Sequence, residues 1–420
     1  MFLFKFLTLY VYNYNVEIGE IMQSVSELYR IGCGPSSSHT MGPESAAKYM
    51  LEHYCEANRF VVILFGSLAL TGKGHLTDEI LYRTLGRERT RVEFDFRTKV
   101  SHPNTLIIEA YENEQLLQSK KFISVGGGEV IEESHEIVKK DVYPFKNFSE
   151  IRAYCEKEKI SLAQFVFRFE DPSIRSYLNL VYDTMEMAIK RGLNATGTLP
   201  GMLQVERKAR YLKEGKKDEN REIAHMRIVS SFAYAVSEEN ASGGQIVTAP
   251  TCGSCGVLPA TLFYLKERDR LTKDQMIEAL AVASVFGNVI KSNAAISGAF
   301  AGCQSEIGSA CSMAAAAAAF LQRLPIDGIE YAAEIAMEHH LGLTCDPING
   351  LVQIPCIERN AVAALRALDA ASLASFLMSS RKISFDTVVE TMYETGKDLN
   401  QNYKETSMGG LAKTYRCQRK

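Results

Sequence analysis

Ser297-Gly-Ala-Phe-Ala-Gly-Cys303-Gln-Ser-Glu-Ile-Gly-Ser-Ala-Cys311, continued by Gly342-Leu-Thr-Cys345-Asp-Pro-Ile-Asn-Gly-Leu-Val-Gln-Ile-Pro-Cys356-Ile-Glu-Arg-Asn360, is the stretch on which the chain turns. It holds four cysteines among few charges and many small residues. Cys303, Cys345 and Cys356 lie in Gly- and Pro-rich segments between helical runs, where backbone can fold around an inorganic group. Cys311 instead opens Ser-Met-Ala-Ala-Ala-Ala-Ala-Ala-Phe, a strong helix former, and is expected to pack there as a bystander. The stretch therefore predicts a helical domain whose loops carry a cysteine-held metal cluster.

The spacings sharpen this expectation. Cys345 lies 42 positions after Cys303, and Cys356 lies 11 after Cys345. That is no compact ferredoxin pattern, but it suits a cluster buried among helices. Three thiolates on a four-iron cluster would leave one iron open as a Lewis acid for a hydroxyl or carboxylate. Such a centre favours dehydration or hydration of a hydroxy acid over electron transfer. The competing reading is a set of buried structural thiols, since free cysteine is among the most buried residue types.

Around this stretch, helical periodicity runs over 149–168, 172–191, 202–214, 221–237, 256–268, 273–289, 310–322, 327–340, 358–379 and 383–395. Residues 146–420 are read as an all-α domain, entered through the linker Tyr143-Pro-Phe-Lys-Asn-Phe148. Polar breaks interrupt it at Asn194–Gly201, at Glu238–Gly256 and at Lys291–Gly298. Asn240, Thr248 and Thr251 in the second break are candidate substrate contacts. Cys252 and Cys255 form a C-x-x-C pair there, but no second pair completes a zinc site.

Residues 22–145 have a mixed pattern. Segments 60–70, 91–97, 105–111 and 116–125 read as strands, and Gly126-Gly127-Gly128 permits a sharp turn. With helices between them, this predicts a compact α+β domain ahead of the larger all-α one. Thr71-Gly-Lys-Gly-His75 lacks the full spacing of a phosphate-binding loop. In Gly34-Pro-Ser36-Ser37-Ser38-His39-Thr40-Met-Gly-Pro43, hydroxyls and backbone N–H groups ahead of a helix suit an anion. His39 could move a proton beside that anion. The competing reading is a Ser-rich capping turn with a solvent-exposed histidine.

Composition sets the outer bounds. The 420 residues can fill two domains, and 46% hydrophobic with 23% charged residues is ordinary for a soluble protein. A net charge of −3 gives no sign of a nucleic-acid or anionic-membrane partner. Ten cysteines without a convincing export signal are expected to be reduced thiols or metal ligands in the cytoplasm. Residues 1–21 are apolar and aromatic, too short to span a bilayer, and lack a signal-peptide cleavage site. The expectation is a non-native or disordered extension ahead of Met22.

Several blocks together resemble the iron–sulfur-dependent L-serine dehydratases. They are Gly34 to Pro43, Gly66-Ser-Leu-Ala-Leu-Thr-Gly-Lys-Gly-His75, Thr248-Ala-Pro-Thr251, Gly302-Cys-Gln, Gly308-Ser-Ala-Cys-Ser-Met-Ala, Met337-Glu-His, Leu343-Thr-Cys-Asp-Pro, Pro355-Cys-Ile-Glu-Arg-Asn-Ala and Tyr403-Lys-Glu-Thr-Ser-Met-Gly-Gly-Leu-Ala. The resemblance runs from about residue 22 to the end. It implies conversion of L-serine to pyruvate and ammonia on a [4Fe-4S] cluster, without pyridoxal phosphate. It implies Cys303, Cys345 and Cys356 as ligands and His39 as base. Ser36, Ser37, Ser38 and Thr40 would form the carboxylate loop. It further implies a regulatory or substrate-binding first domain and a homodimer. A cysteine near the family's C-terminus can occupy the open iron at rest, and Cys417 has that position. Two departures stand out: Cys252 where many members have Asn, and the basic residues Arg416, Arg419 and Lys420 around the tail cysteine. An L-cysteine desulfidase and a non-catalytic serine sensor are the rival readings.

Overall fold

The computed structural model describes residues 22–133, 142–215, 218–405 and 407–418; the leading extension lies outside them. Five strands make the first sheet: β2 (Arg59–Phe65), β3 (Thr90–Asp95), β4 (Thr105–Glu112), β5 (Gln115–Gly126) and β6 (Glu129–Glu132). Their order is β3-β2-β4-β5-β6, with β2 and β3 parallel and the other neighbours antiparallel. Alternation puts Phe60, Val62 and Leu64 on the same buried face as Leu106, Ile108 and Ala110. That face is covered by helices α1 (Gly42–His53), α2 (Gly66–Thr71) and α3 (Thr77–Leu85). They bring Ala46, Ala47, Met50, Leu68, Ile80 and Leu81 into one core. The result is a two-layer α+β unit.

The rest is helical: α4 (Phe148–Glu158), α5 (Leu162–Phe169), α6 (Ile174–Asn194), α7 (Ala209–Glu214), α8 (Arg221–Ala241), α9 (Val257–Asp269), α10 (Lys273–Asn293), α11 (Gly298–Ala301), α12 (Ser309–Leu321), α13 (Ile326–Glu338), α14 (Cys356–Leu377), α15 (Phe385–Asp398) and α16 (Gly410–Gln418). At the centre stands α12, in contact with α9, α10, α13 and α14. Ala314 to Ala319 are all fully buried, so six methyl-sized side chains let neighbouring helices approach closely from every side. Cys311 donates to the Ala363 carbonyl at 3.2 Å within this core. Cys356–Ser380 has the length and apolarity of a membrane span, and α14 within it packs against α8, α12 and α13.

The two layers are laced together near the site. Strand β1 (Ile31–Cys33) pairs antiparallel with β7 (Gln245–Val247). Thr248 Oγ1 accepts from Arg30 N at 2.9 Å and donates to Leu28 O at 2.8 Å. Met22, Val25, Leu28 and Tyr29 join the helical core rather than the sheet.

Several expected boundaries move. The strand read over 60–70 ends at Phe65, because Gly66 adopts φ +52° and the chain turns into α2. A continuous apolar run does not by itself separate a strand from a buried helix. The helix read over 149–168 is two helices. Lys159 is left-handed at φ 55°, and Ser161 starts α5 with a capping box to Gln164. Of 202–214 only α7 is helical, because Gln204 is left-handed and Leu199 N bonds Val205 O at 2.8 Å. Glu238, Glu239 and Asn240 belong to the last turn of α8, not to a loop. The two carboxylates are satisfied there: Glu238 accepts from Lys208 N at 2.6 Å, and Glu239 pairs with Arg191 and Arg207.

Candidate active site

The serine-rich loop is a wide helical turn, Ser37–Met41, feeding directly into α1. Ser36 caps it, its Oγ accepting from His39 N at 3.2 Å. Burial is complete at His39, so the solvent-exposed reading fails. Its Nδ1 lies 3.0 Å from Ser38 Oγ and its Nε2 lies 3.0 Å from Ser67 Oγ. The ring stacks on His75 with centroids 4.4 Å apart. Burial, with His75 adding to it, holds the His39 imidazole well below its ordinary value. His75 comes from the loop between α2 and α3. Its Nδ1 donates to Thr71 O at 3.1 Å, and its Nε2 is buried without a hydrogen-bond partner among the described residues.

Facing these imidazoles are the cysteines. Cys303 precedes the wide turn Gln304–Gly308, Cys345 lies in the loop after α13, and Cys356 opens α14. One pocket is lined by all three together with Ser36, His75, Glu306 and Glu405. The C-terminal segment closes it from behind: Cys345 N donates to Tyr403 O at 2.8 Å, and Glu405 N donates to Cys345 O at 3.0 Å. Glu405 Oε1 stands 4.0 Å from His39 Nδ1.

This donor set fits a metal centre. All three cysteines are free of disulfides among the described residues, and the ligand atoms of Cys303, Glu306 and Cys345 lie within 4.8 Å of one another. A methyl group on Gly298 would stand 3.3 Å from Cys345 Sγ and 2.6 Å from a Glu306 oxygen, so only glycine leaves that room. The acids also crowd one another. Cys345 is pushed up by its hydrogen bond with Cys303 and by burial; Cys356 by burial and the Cys303 charge; Glu405 by burial, Glu306 and Cys303. A bound cation relieves that mutual repulsion. Arg359 is the cation at hand. Burial works against its charge, but Cys303, Cys356 and Asp346 raise its pKa. It also pairs with Asp346 at 3.0 Å, and Asp346 Oδ2 accepts from Leu411 N at 2.8 Å, which fixes the start of α16. Cys417 falls on α16, and its side chain lies outside the described residues.

Not every expected residue reaches the pocket. Ser36, Cys303, Cys345 and Cys356 line it, with Ser38 and His39 behind Ser36. Thr251 donates to Glu306 Oε1 at 2.7 Å and so touches the site through that carboxylate. Ser37 is buried in the same turn as His39. Thr40 is engaged as a tie, donating to His75 O at 2.9 Å. Asn240 Nδ2 donates to Pro35 O at 2.9 Å, and Thr248 is committed to residues 28 and 30. Cys252 Sγ meets Met41 Sδ at 3.3 Å in the core. The sequence reading missed Glu306, Glu405, His75, Arg359 and Ser67. The Gly-Lys-Gly-His75 block carried a signal: a histidine among glycines after a strand repeats the setting of His39.

Buried neutral histidines make the fold acid-sensitive. Burial lowers the His75 pKa from 6.5 to about 4, and His39 is lowered as well. The folded state then binds protons less readily than the unfolded chain. The stability from His75 is full above pH 6.5 and is lost as pH falls through about 4. For His75 the shift corresponds to about 3 kcal/mol. Denaturation midpoints measured from neutral pH downward should fall, and His75→Gln should flatten that slope.

Similarity to known proteins agrees with this geometry. A family model described as serine dehydratase beta chain matches residues 24–93, and one described as serine dehydratase alpha chain matches 101–412. L-serine dehydratase 1 of Escherichia coli is 40% identical, over 94% of this chain and 100% of its own length. L-serine dehydratase of Haemophilus influenzae is 38% identical over 94% of this chain and 100% of its length. That of Helicobacter pylori (strain 26695) is 37% identical over 94% and 99%. With both family segments in one chain and its cysteines gathered under a buried histidine pair, this chain belongs to the serine dehydratase family.

Proposed function

We propose that the protein is an L-serine ammonia-lyase that releases pyruvate and ammonia. The observation that supports this most is the convergence of Cys303, Cys345 and Cys356 on one pocket with Ser36 and His75, and with His39 directly behind. The α-proton of serine leaves to a base, and hydroxide leaves from Cβ. The resulting aminoacrylate tautomerises to an imine, which water hydrolyses to pyruvate and ammonium. His39, kept neutral by burial, is the proton acceptor in this reading. Hydroxyls of the 36–40 turn orient the carboxylate, with Ser36 in the wall. Thr251 holds Glu306 in place, while Thr40, Asn240 and Thr248 fix the loops that carry the site.

The three thiols would hold a [4Fe-4S] cluster, which when bound supplies a Lewis-acidic iron for the departing hydroxyl. Cys417 is assigned as its ligand at rest. Residues 22–145 form the substrate-binding and regulatory part and 146–420 the catalytic part. The setting we propose is a cytoplasmic homodimer acting on free L-serine, with no nucleic-acid or membrane partner.

Anaerobically purified protein should contain iron and acid-labile sulfide, and should release pyruvate faster from L-serine than from L-cysteine. Faster release from L-cysteine would make it a desulfidase. A loaded cluster with no pyruvate from either amino acid would leave a serine sensor.

A further inference from the structure

We propose that His75 Nε2 accepts a hydrogen bond from the α-ammonium group of the substrate, and so selects amino acids over acids that carry no donor at Cα. This inference rests on the lyase reading above and assigns a specificity residue within it.

The tautomer follows from the partners. Thr71 O can only accept, so the proton sits on His75 Nδ1 and the lone pair on Nε2. That lone pair belongs to a side chain 1% exposed, in the wall of the cysteine pocket, with no hydrogen-bond partner among the described residues. A buried acceptor left empty is costly, so the pocket is built to receive a donor. The ring cannot swing away. His75 N is bonded to Thr71 O, Thr40 Oγ1 holds His75 O at 2.9 Å, and His39 stacks against its face. Burial lowers its pKa to about 4, so at neutral pH it offers an acceptor rather than a charge.

Of the three groups on serine, the carboxylate donates nothing and the hydroxyl is the leaving group. The ammonium carries three N–H donors and a positive charge. One ligand atom each from Glu405, His39 and His75 lies within 4.8 Å of the others, which puts a carboxyl group beside the imidazole pair. A divalent ion would want all three donors free, but both nitrogens of His39 already meet serine hydroxyls.

The test uses cluster-loaded full-length chain and the variants His75→Phe and His75→Gln, the latter keeping an acceptor at similar reach. His75→Phe should raise the KM for L-serine by about tenfold to a hundredfold, the range for a hydrogen bond to a charged group. Its kcat should change far less, and His75→Gln should recover part of the loss. Calorimetric binding of L-serine should weaken in parallel. Binding of 3-hydroxypropanoate, which has hydrogen in place of ammonium and so no donor at that position, should not change. An unchanged KM, or equal weakening for L-serine and 3-hydroxypropanoate, overturns the assignment, since a merely structural role would affect both. Failure of the lyase reading is recognised separately, by wild type releasing no pyruvate.

Discussion

Cys345→Ala is expected to yield a folded chain that lacks the visible charge-transfer absorption of an iron–sulfur centre and makes almost no pyruvate. Cys345 is the middle of the three thiols. Its loop is held on both sides by the tail, through Tyr403 O and Glu405 N. Its Sγ lies within 4.8 Å of the Cys303 thiol and the Glu306 carboxylate, and a methyl group on Gly298 would crowd it at 3.3 Å. Alanine removes the donor atom while leaving those backbone bonds in place, so the fold should survive by circular dichroism. A Lewis acid contributes several kcal/mol to a developing charge, and each ~1.4 kcal/mol is tenfold in rate, so turnover should fall on the order of a thousandfold. Iron and sulfide content should fall with it. Cys311→Ala is the control: its thiol faces Ala363 O inside the α12 core, and its loss should leave the absorption in place. Full absorption and activity in Cys345→Ala would remove Cys345 from the ligand set.

The cysteines could be read from the sequence because their neighbours betray them. Gly and Pro around Cys303, Cys345 and Cys356 mark loops, while the alanine run after Cys311 marks a buried helix. The carboxylates could not. Glu306 looks like any residue of a helical turn, and Glu405, 102 positions beyond Cys303, reaches the pocket only when the tail folds back along Cys345. The β1–β7 ribbon was equally hidden. Each strand has three residues, too few for alternation to register, and their partners lie more than 200 positions apart. The α+β to all-α order was plain because each half has a sustained period, of two or of 3.6 residues. What was lost lies at the seam, where Asn240, Thr248 and Thr40 turned out to tie segments together.

His39→Ala is expected to lower kcat by roughly a hundredfold to ten-thousandfold while leaving the cluster absorption unchanged, the range for a removed general base. The ring is fully buried with both nitrogens paired to serine hydroxyls, which can donate or accept and so leave either nitrogen free to hold a proton. Glu405 Oε1 stands 4.0 Å from Nδ1 as a further polar group beside the ring. A base must be unprotonated to act. Burial and His75 hold His39 below the ordinary 6.5, so the acid limb of kcat/KM in wild type should lie below pH 6.5. Losing this ring should lower kcat and remove that limb, whereas losing His75 should mainly raise KM. Because alanine leaves a cavity beside His75, His39→Gln serves as the second variant: it fills the space and keeps hydrogen bonds to Ser38 and Ser67, but cannot take the proton. Near-wild-type kcat in His39→Gln would rule out the base role whatever the alanine variant does. An unshifted acid limb near 6.5 would count against a buried imidazole as the titrating group.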